Sequence, residues 1–179
     1  APTVAPPSDG EWQELIAAGD LSMWEVVGNS ESFEFQDGIL RCIKIGSQPS
    51  FLVLARNGAP ETIRNFEMKL ETKGEGKSNS GVYLHVDPGH LQTPANPESG
   101  HEIQLARNAP LKSATGAIFG VVPPSFDTGG KLSNWCTLHI TVNGQNIRCE
   151  LDGREIQNYT ESLNPSERPG DSNKHLRPE

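Results

Sequence analysis

The stretch WCTLHITVNGQNIRCELDGREI, Trp135 to Ile156, limits what this chain can become more than any other part of it. Leu138, Ile140 and Val142 alternate with Thr137, His139 and Thr141; beyond Asn143-Gly144, Ile147, Cys149 and Leu151 alternate with Arg148, Glu150 and Asp152. Successive side chains of a strand point to opposite faces, and Asn-Gly accepts the positive φ of a tight hairpin, so this pattern predicts two antiparallel strands. A second turn pair, Asp152-Gly153, follows at once. A ribbon with one apolar face must bury that face against another layer.

The same period recurs upstream. In NFEMKLET, Phe66, Met68 and Leu70 oppose Glu67, Lys69 and Glu71. After the turn KGEGKSNSG, Val82, Leu84 and Val86 point inward and Tyr83, His85 and Asp87 outward. HEIQLA then places Ile103 and Leu105 on the core side and Glu102 and Gln104 on the polar side. ESFEFQDGILRCIKI reads as a further hairpin about Gln36-Asp37-Gly38, and FLVLARN as a short strand. EWQELIAAGDLSMWEVVG carries the one segment with a helical pattern, ending at Gly19. From Asn158 to Glu179 the sequence is polar and interrupted by Pro and Gly, without a strand pattern. With 18 Gly, 14 Pro and 6% aromatic residues, the chain predicts an all-β sandwich of two antiparallel sheets.

A chain of 179 residues fits one domain, read as 9–179 behind a flexible lead, 1–8. The net charge of -8, without a block of Lys or Arg, argues against nucleic acid and anionic membranes as partners. No apolar run reaches the roughly 20 residues that a membrane span requires. The opening APTVAPPSDG resembles an exported chain after removal of a signal peptide, so a periplasmic or secreted location is expected. Cys42, Cys136 and Cys149 lie in alternating apolar runs without C-x-x-C spacing, which favours buried thiols over a metal finger.

Alternation puts Tyr83, His85, Glu102, Gln104 and His139 on outward faces, with the Pro88 to Gly100 excursion at their rim. Polar residues can simply cover the solvated side of a sheet, as Glu67, Lys69 and Glu71 do. His, Tyr, Glu and Gln together instead offer a base, donors and a ring, a set suited to a hydroxyl-rich carbohydrate. His101 and Glu102 point to opposite faces, so His85 is the histidine expected to face Glu102. The chain has no G-x-S-x-G elbow, H-E-x-x-H motif, P-loop or G-x-G-x-x-G after a strand.

The order of Phe66-Glu67 with Glu71, N-S-G-V-Y at Asn79 to Tyr83, G-H-E-I-Q at Gly100 to Gln104, T-G-A-I at Thr115 to Ile118, Trp135, and L-D-G at Leu151 to Gly153 resembles the 3-keto-disaccharide hydrolase domain. EWQELIAAGDLSMW resembles the opening of that family. The resemblance implies a concanavalin-like jelly roll, export, and cleavage of glycosides oxidised to a ketone at sugar carbon three. It implies Glu102 as catalytic base, with His85 and Tyr83 assisting at the ketone or the leaving group, or a divalent cation polarising the ketone instead. Asn79, Gln104, His139 and Trp135 join Tyr83 as candidate substrate-binding residues. The chain departs from the family pattern at Cys136, where Asn is usual, and lacks its closing G-x-I-G-L-Q and F-R-N strands. A non-catalytic carbohydrate-binding module on the same sandwich, or an interaction domain without a small ligand, are the competing readings.

Overall fold

Turn chemistry sets the strand boundaries. The computed structural model describes residues 12–16, 19–56, 59–86, 100–128 and 130–164, which leaves the lead, the excursion at 88–99 and the tail beyond 164 outside the described residues. Two compact units divide the chain, one built on 63–86 and the residues from 98 onward, the other on 9–62.

In the unit before residue 63, β1 (Trp24–Val27) pairs antiparallel with β4 (Phe51–Arg56), which pairs with β5 (Ala59–Pro60). The expected hairpin forms from β2 (Phe33–Gln36) and β3 (Ile39–Cys42), turning through Asp37 and Gly38 at φ 53 and 77. The helical expectation for the segment before it is corrected. Among the described residues of 12–27 there is no helix, and Trp24 to Val27 extend as β1 while the Trp24 indole donates to the Leu15 carbonyl at 2.7 Å. Beyond Gly19, Trp24, Glu25, Val26 and Val27 pair with β4.

The second unit holds β6 (Phe66–Thr72), β7 (Asn79–Leu84), β8 (His101–Ala106), β9 (Cys136–Asn143), β10 (Asn146–Leu151) and β11 (Arg154–Thr160). Four of these form one antiparallel sheet in the order β11-β10-β9-β6, while β7 and β8 pair with each other. Leu84, Ile103 and Leu105 from the pair pack with Leu138, Ile140, Val142, Ile147, Cys149, Leu151 and Ile156 in one core, so the two layers meet face to face. The expected all-β sandwich is what the chain builds.

Two findings go beyond the sequence reading. β11 continues to Thr160, past the point where the pattern predicts no strand. A bulge between Cys149 and Glu150 resets its register, Ile156 is fully buried, and the buried Gln157 amide donates to the Pro123 carbonyl at 3.0 Å, which hides a polar side chain in what reads as a polar tail. The Thr115 to Ile118 phrase also has a physical reason. The Thr115 hydroxyl accepts from the Ala106 amide and donates to its carbonyl, Gly116 and Phe119 amides donate to Gln104 and Glu102 carbonyls, and the segment runs along β8 as a third edge. Gly116 has φ 85, and a Cβ there would collide with Ile156.

The three cysteines are free; Cys136 and Cys149 are buried as expected, but Cys42 at the end of β3 is exposed. Among the described residues, no helix is long and apolar enough to cross a membrane.

Candidate functional site

β7 and β8 carry the site because their register sets chosen residues opposite one another. Tyr83 pairs with Glu102, Gly81 with Gln104, and Asn79 with Ala106, so Asn79, Gly81, Tyr83, Glu102 and Gln104 share the face turned away from the core. The Glu102 side chain leans across the strand onto Gly81. A Cβ at residue 81 would lie 2.6 Å from Glu102 Cγ and nearer still to Oε1. The glycine of the N-S-G phrase therefore makes the space in which the carboxylate lies.

The Tyr83 hydroxyl hydrogen-bonds to that carboxylate. Burial raises the pKa of Glu102 above the usual carboxylate value, and the Tyr83 hydrogen bond offsets part of that rise. No Lys, Arg or His forms an ion pair with Glu102 among the described residues. Tyr83 is itself pushed far up, first by burial and then by the adjacent Glu102 charge, and so stays protonated. A half-buried carboxylate with raised proton affinity and a phenol that keeps its hydrogen form a base and a donor side by side.

The amides extend this face. Gln104, 3% exposed, donates through Nε2 to Asn79 Oδ1 at 2.5 Å. Beyond them Lys77, Ser78, Arg107, Asn108, Ser113 and Phe119 line a hollow of about 390 Å³ that Asn79 and Gln104 also line.

The other candidates fall elsewhere. The alternation that sets Tyr83 opposite Glu102 ends at Leu84: His85 has φ 53, and its Nε2 lies 3.2 Å from the Arg64 carbonyl, an acceptor to which it donates. Tyr83, rather than His85, is the residue opposite Glu102. His139 lies on the far side of the core, on the outward face of the four-stranded sheet. There its Nε2 is 3.1 Å from Glu67 Oε2 and its Nδ1 is 3.4 Å from Glu150 Oε2. Glu150 in turn takes Arg148 at 2.5 Å, and Arg148 takes Glu155 at 2.5 Å. Trp135, 53% exposed, stands at the head of β9.

Sequence reasoning missed one pair. His101, the neighbour of Glu102, turns into the core and meets Glu161 at 3.1 Å, the two side chains 0% and 2% exposed, with the Tyr159 ring edge-on at 6.1 Å. Sixty positions separate the partners. Only the G-H-E phrase hints at it, since Gly100, with φ 81, passes so close to the Leu84 carbonyl that a Cβ would clash and so fixes where His101 enters β8.

Among the described residues, the side chains around Glu102 do not by themselves make up a full ligand set for a divalent cation. The donors around Glu102 are one carboxylate, a phenol and two amides, and among the described residues no group of three His, Cys, Asp or Glu side chains is placed to hold a metal.

Residues 11–177 match the family model described as the 3-keto-alpha-glucoside-1,2-lyase-like domain. No curated protein matches the chain. Two solved structures from Parabacteroides distasonis ATCC 8503, both provisionally described as glycosyl hydrolases, share its fold. One superposes with a TM-score of 0.66 at 19% identity, covering 83% of this chain and 71% of its own. The other gives 0.62 at 23% identity, covering 81% and 70%.

Proposed function

The chain belongs to the 3-keto-alpha-glucoside-1,2-lyase-like family, and on that premise we propose that it cleaves glycosides already oxidised to a ketone at sugar carbon three, with Glu102 as the base. The family placement supports a carbohydrate-active function. The observation that carries the specific reading is the Glu102 carboxylate, half-buried over Gly81, without a cationic partner among the described residues and held by Tyr83.

A ketone at C3 acidifies the hydrogen at C2, because the carbanion left behind is delocalised onto the ketone oxygen. Glu102 takes that proton. Its raised pKa favours the transfer, since a base works best when its proton affinity lies near the working pH. Once Glu102 is protonated its hold on the Tyr83 phenol weakens, and the phenol can donate to the oxygen where enolate charge develops. The enolate then re-forms its carbonyl as the C1–oxygen bond breaks; the C1 oxygen leaves as an alcohol, taking up a proton from solvent. Water adds across the resulting C1–C2 double bond, its oxygen to C1 and a hydrogen to C2, and the proton that Glu102 took passes to solvent. The sum is one keto-glycoside and one water giving a keto sugar and an alcohol. Gln104 and Asn79 are the amides available to sugar hydroxyls along the same face.

Incubation with a 3-keto-disaccharide should release both sugars, and Glu102→Gln should abolish release. Sugar binding in calorimetry with no product on prolonged incubation of the parent chain would replace this reading with that of a carbohydrate-binding module.

A further inference from the structure

The hollow beside Gln104 has a chemistry of its own. Gln104 and Glu102 lie two residues apart on one strand face, a separation of about 7 Å, so the hollow opens next to the base. Its wall includes two cations, Lys77 and Arg107, and no Asp or Glu. Neither cation has a carboxylate partner among the described residues; Arg107 is held by donating to Ser133 Oγ at 2.9 Å and to the Gly76 carbonyl at 3.4 Å. In a chain of net charge -8 such a cation pair without a counter-ion is unexpected. Polar groups in the same wall also lack partners among the described residues: Ser78 Oγ and Gln104 Oε1 are both buried without a hydrogen bond. An unmatched buried polar group is costly, and a bound ligand is one way such a cost is met. Phe119, 38% exposed, adds a ring to this polar wall, as sugar-binding sites commonly do.

We propose that the hollow is a subsite for a sugar bearing an anionic substituent, a carboxylate or a sulfate. Lys77 and Arg107 take the negative group, Gln104 accepts from a hydroxyl, and Phe119 covers one face of the ring. The proposal rests on the reading of Glu102 as the base of a glycoside-cleaving site, and it names the second sugar of that substrate as an acidic one. A neutral second sugar would leave both cations without a counter-charge.

The test is calorimetric titration of the full chain with glucuronate, glucose 6-sulfate and glucose. The proposal requires at least one of the two acidic sugars to bind about tenfold tighter than glucose, in a salt-sensitive manner. Glucuronate alone would identify a carboxylate subsite, glucose 6-sulfate alone a sulfate subsite, and both a site that reads charge. Lys77→Ala should weaken the acidic sugar about tenfold and leave glucose unchanged. Lys77 is exposed and has no partner to lose among the described residues, so this variant keeps the fold. Neither acidic sugar binding more tightly than glucose, or Lys77→Ala together with Arg107→Lys leaving acidic-sugar binding unchanged, overturns the proposal. Glu102→Gln separates the two readings: it should retain acidic-sugar binding, so a failure of Glu102 as base leaves the subsite standing. Turnover of keto-disaccharides with Glu102-dependent kinetics but no acidic-sugar binding leaves the base standing alone.

Discussion

The second unit presents two carboxylate-bearing faces, on opposite sides of one core, and they put the same residue types to opposite uses. On β7 and β8, Glu102 is half-buried and without a cation among the described residues, so desolvation raises its proton affinity, and the hydrogen bond to a phenol offsets only part of the rise. On the outward face of β6, β9 and β10, Glu67 and Glu150 bracket His139, and Arg148 ties Glu150 to Glu155. The second face spends its charges on one another, in part-exposed pairs of the kind that contribute little individually. The first leaves a carboxylate with nothing among the described residues to neutralise it but a proton. That difference, more than the presence of His or Glu, separates a candidate site from a solvated surface.

The largest expected effect comes from removing the carboxylate on the first face. Glu102→Gln should lower turnover of a 3-keto-glycoside by about 10²–10⁴-fold, measured as sugar release. It should also stabilise the chain. Burial raises the folded pKa of Glu102 above its unfolded value, so its contribution to stability is fully present below the unfolded pKa and is lost as pH rises through the folded one. The neutral glutamine escapes that loss, and at neutral pH its Tm should lie about 2–4 °C above the parent's. A fall in Tm would mean that the carboxylate is structural.

Gly81→Ala comes next. The added Cβ must displace the Glu102 side chain, so turnover should fall about 10–10²-fold while circular dichroism stays unchanged. Tyr83→Phe removes the hydrogen bond that lowers the Glu102 pKa, so the acid limb of the kcat/KM profile should move to higher pH, with about tenfold loss at the optimum. An acid limb that moves downward would show that Tyr83 acts on Glu102 in another way. On the opposite face, Glu67→Gln and Glu150→Gln should change turnover less than about twofold and stability by no more than about 1 kcal/mol. A large loss of activity from either would erase the distinction between the faces.

Much of this was legible in the sequence, for a definable reason. Period two around Asn143-Gly144 and through Phe66 to Glu71 reports burial directly, because one apolar face must meet a core, and the strands lie where the alternation predicts. The same rule places Tyr83, Glu102 and Gln104 on one face. It breaks down at His85, where the backbone turns left-handed and alternation no longer applies, and it cannot say that His139 faces away across the core. Alternation assigns a residue to a side of its own strand, whereas the order of strands decides which sides coincide. The His101–Glu161 pair and the run of β11 to Thr160 were hidden for a related reason. Each depends on a polar residue being buried with a partner, Glu161 with His101 and Gln157 with Pro123, and a polar residue in a sequence reads as exposed.

The central claim is that Glu102 removes the hydrogen at C2 of the sugar. The most direct measurement is NMR of the keto sugar released in D2O, taken before spontaneous exchange. Deuterium at C2 in the parent's product, with neither exchange nor release by Glu102→Gln, is the predicted result. A product that keeps its C2 hydrogen, or a Glu102→Gln chain that still exchanges it, would contradict the claim.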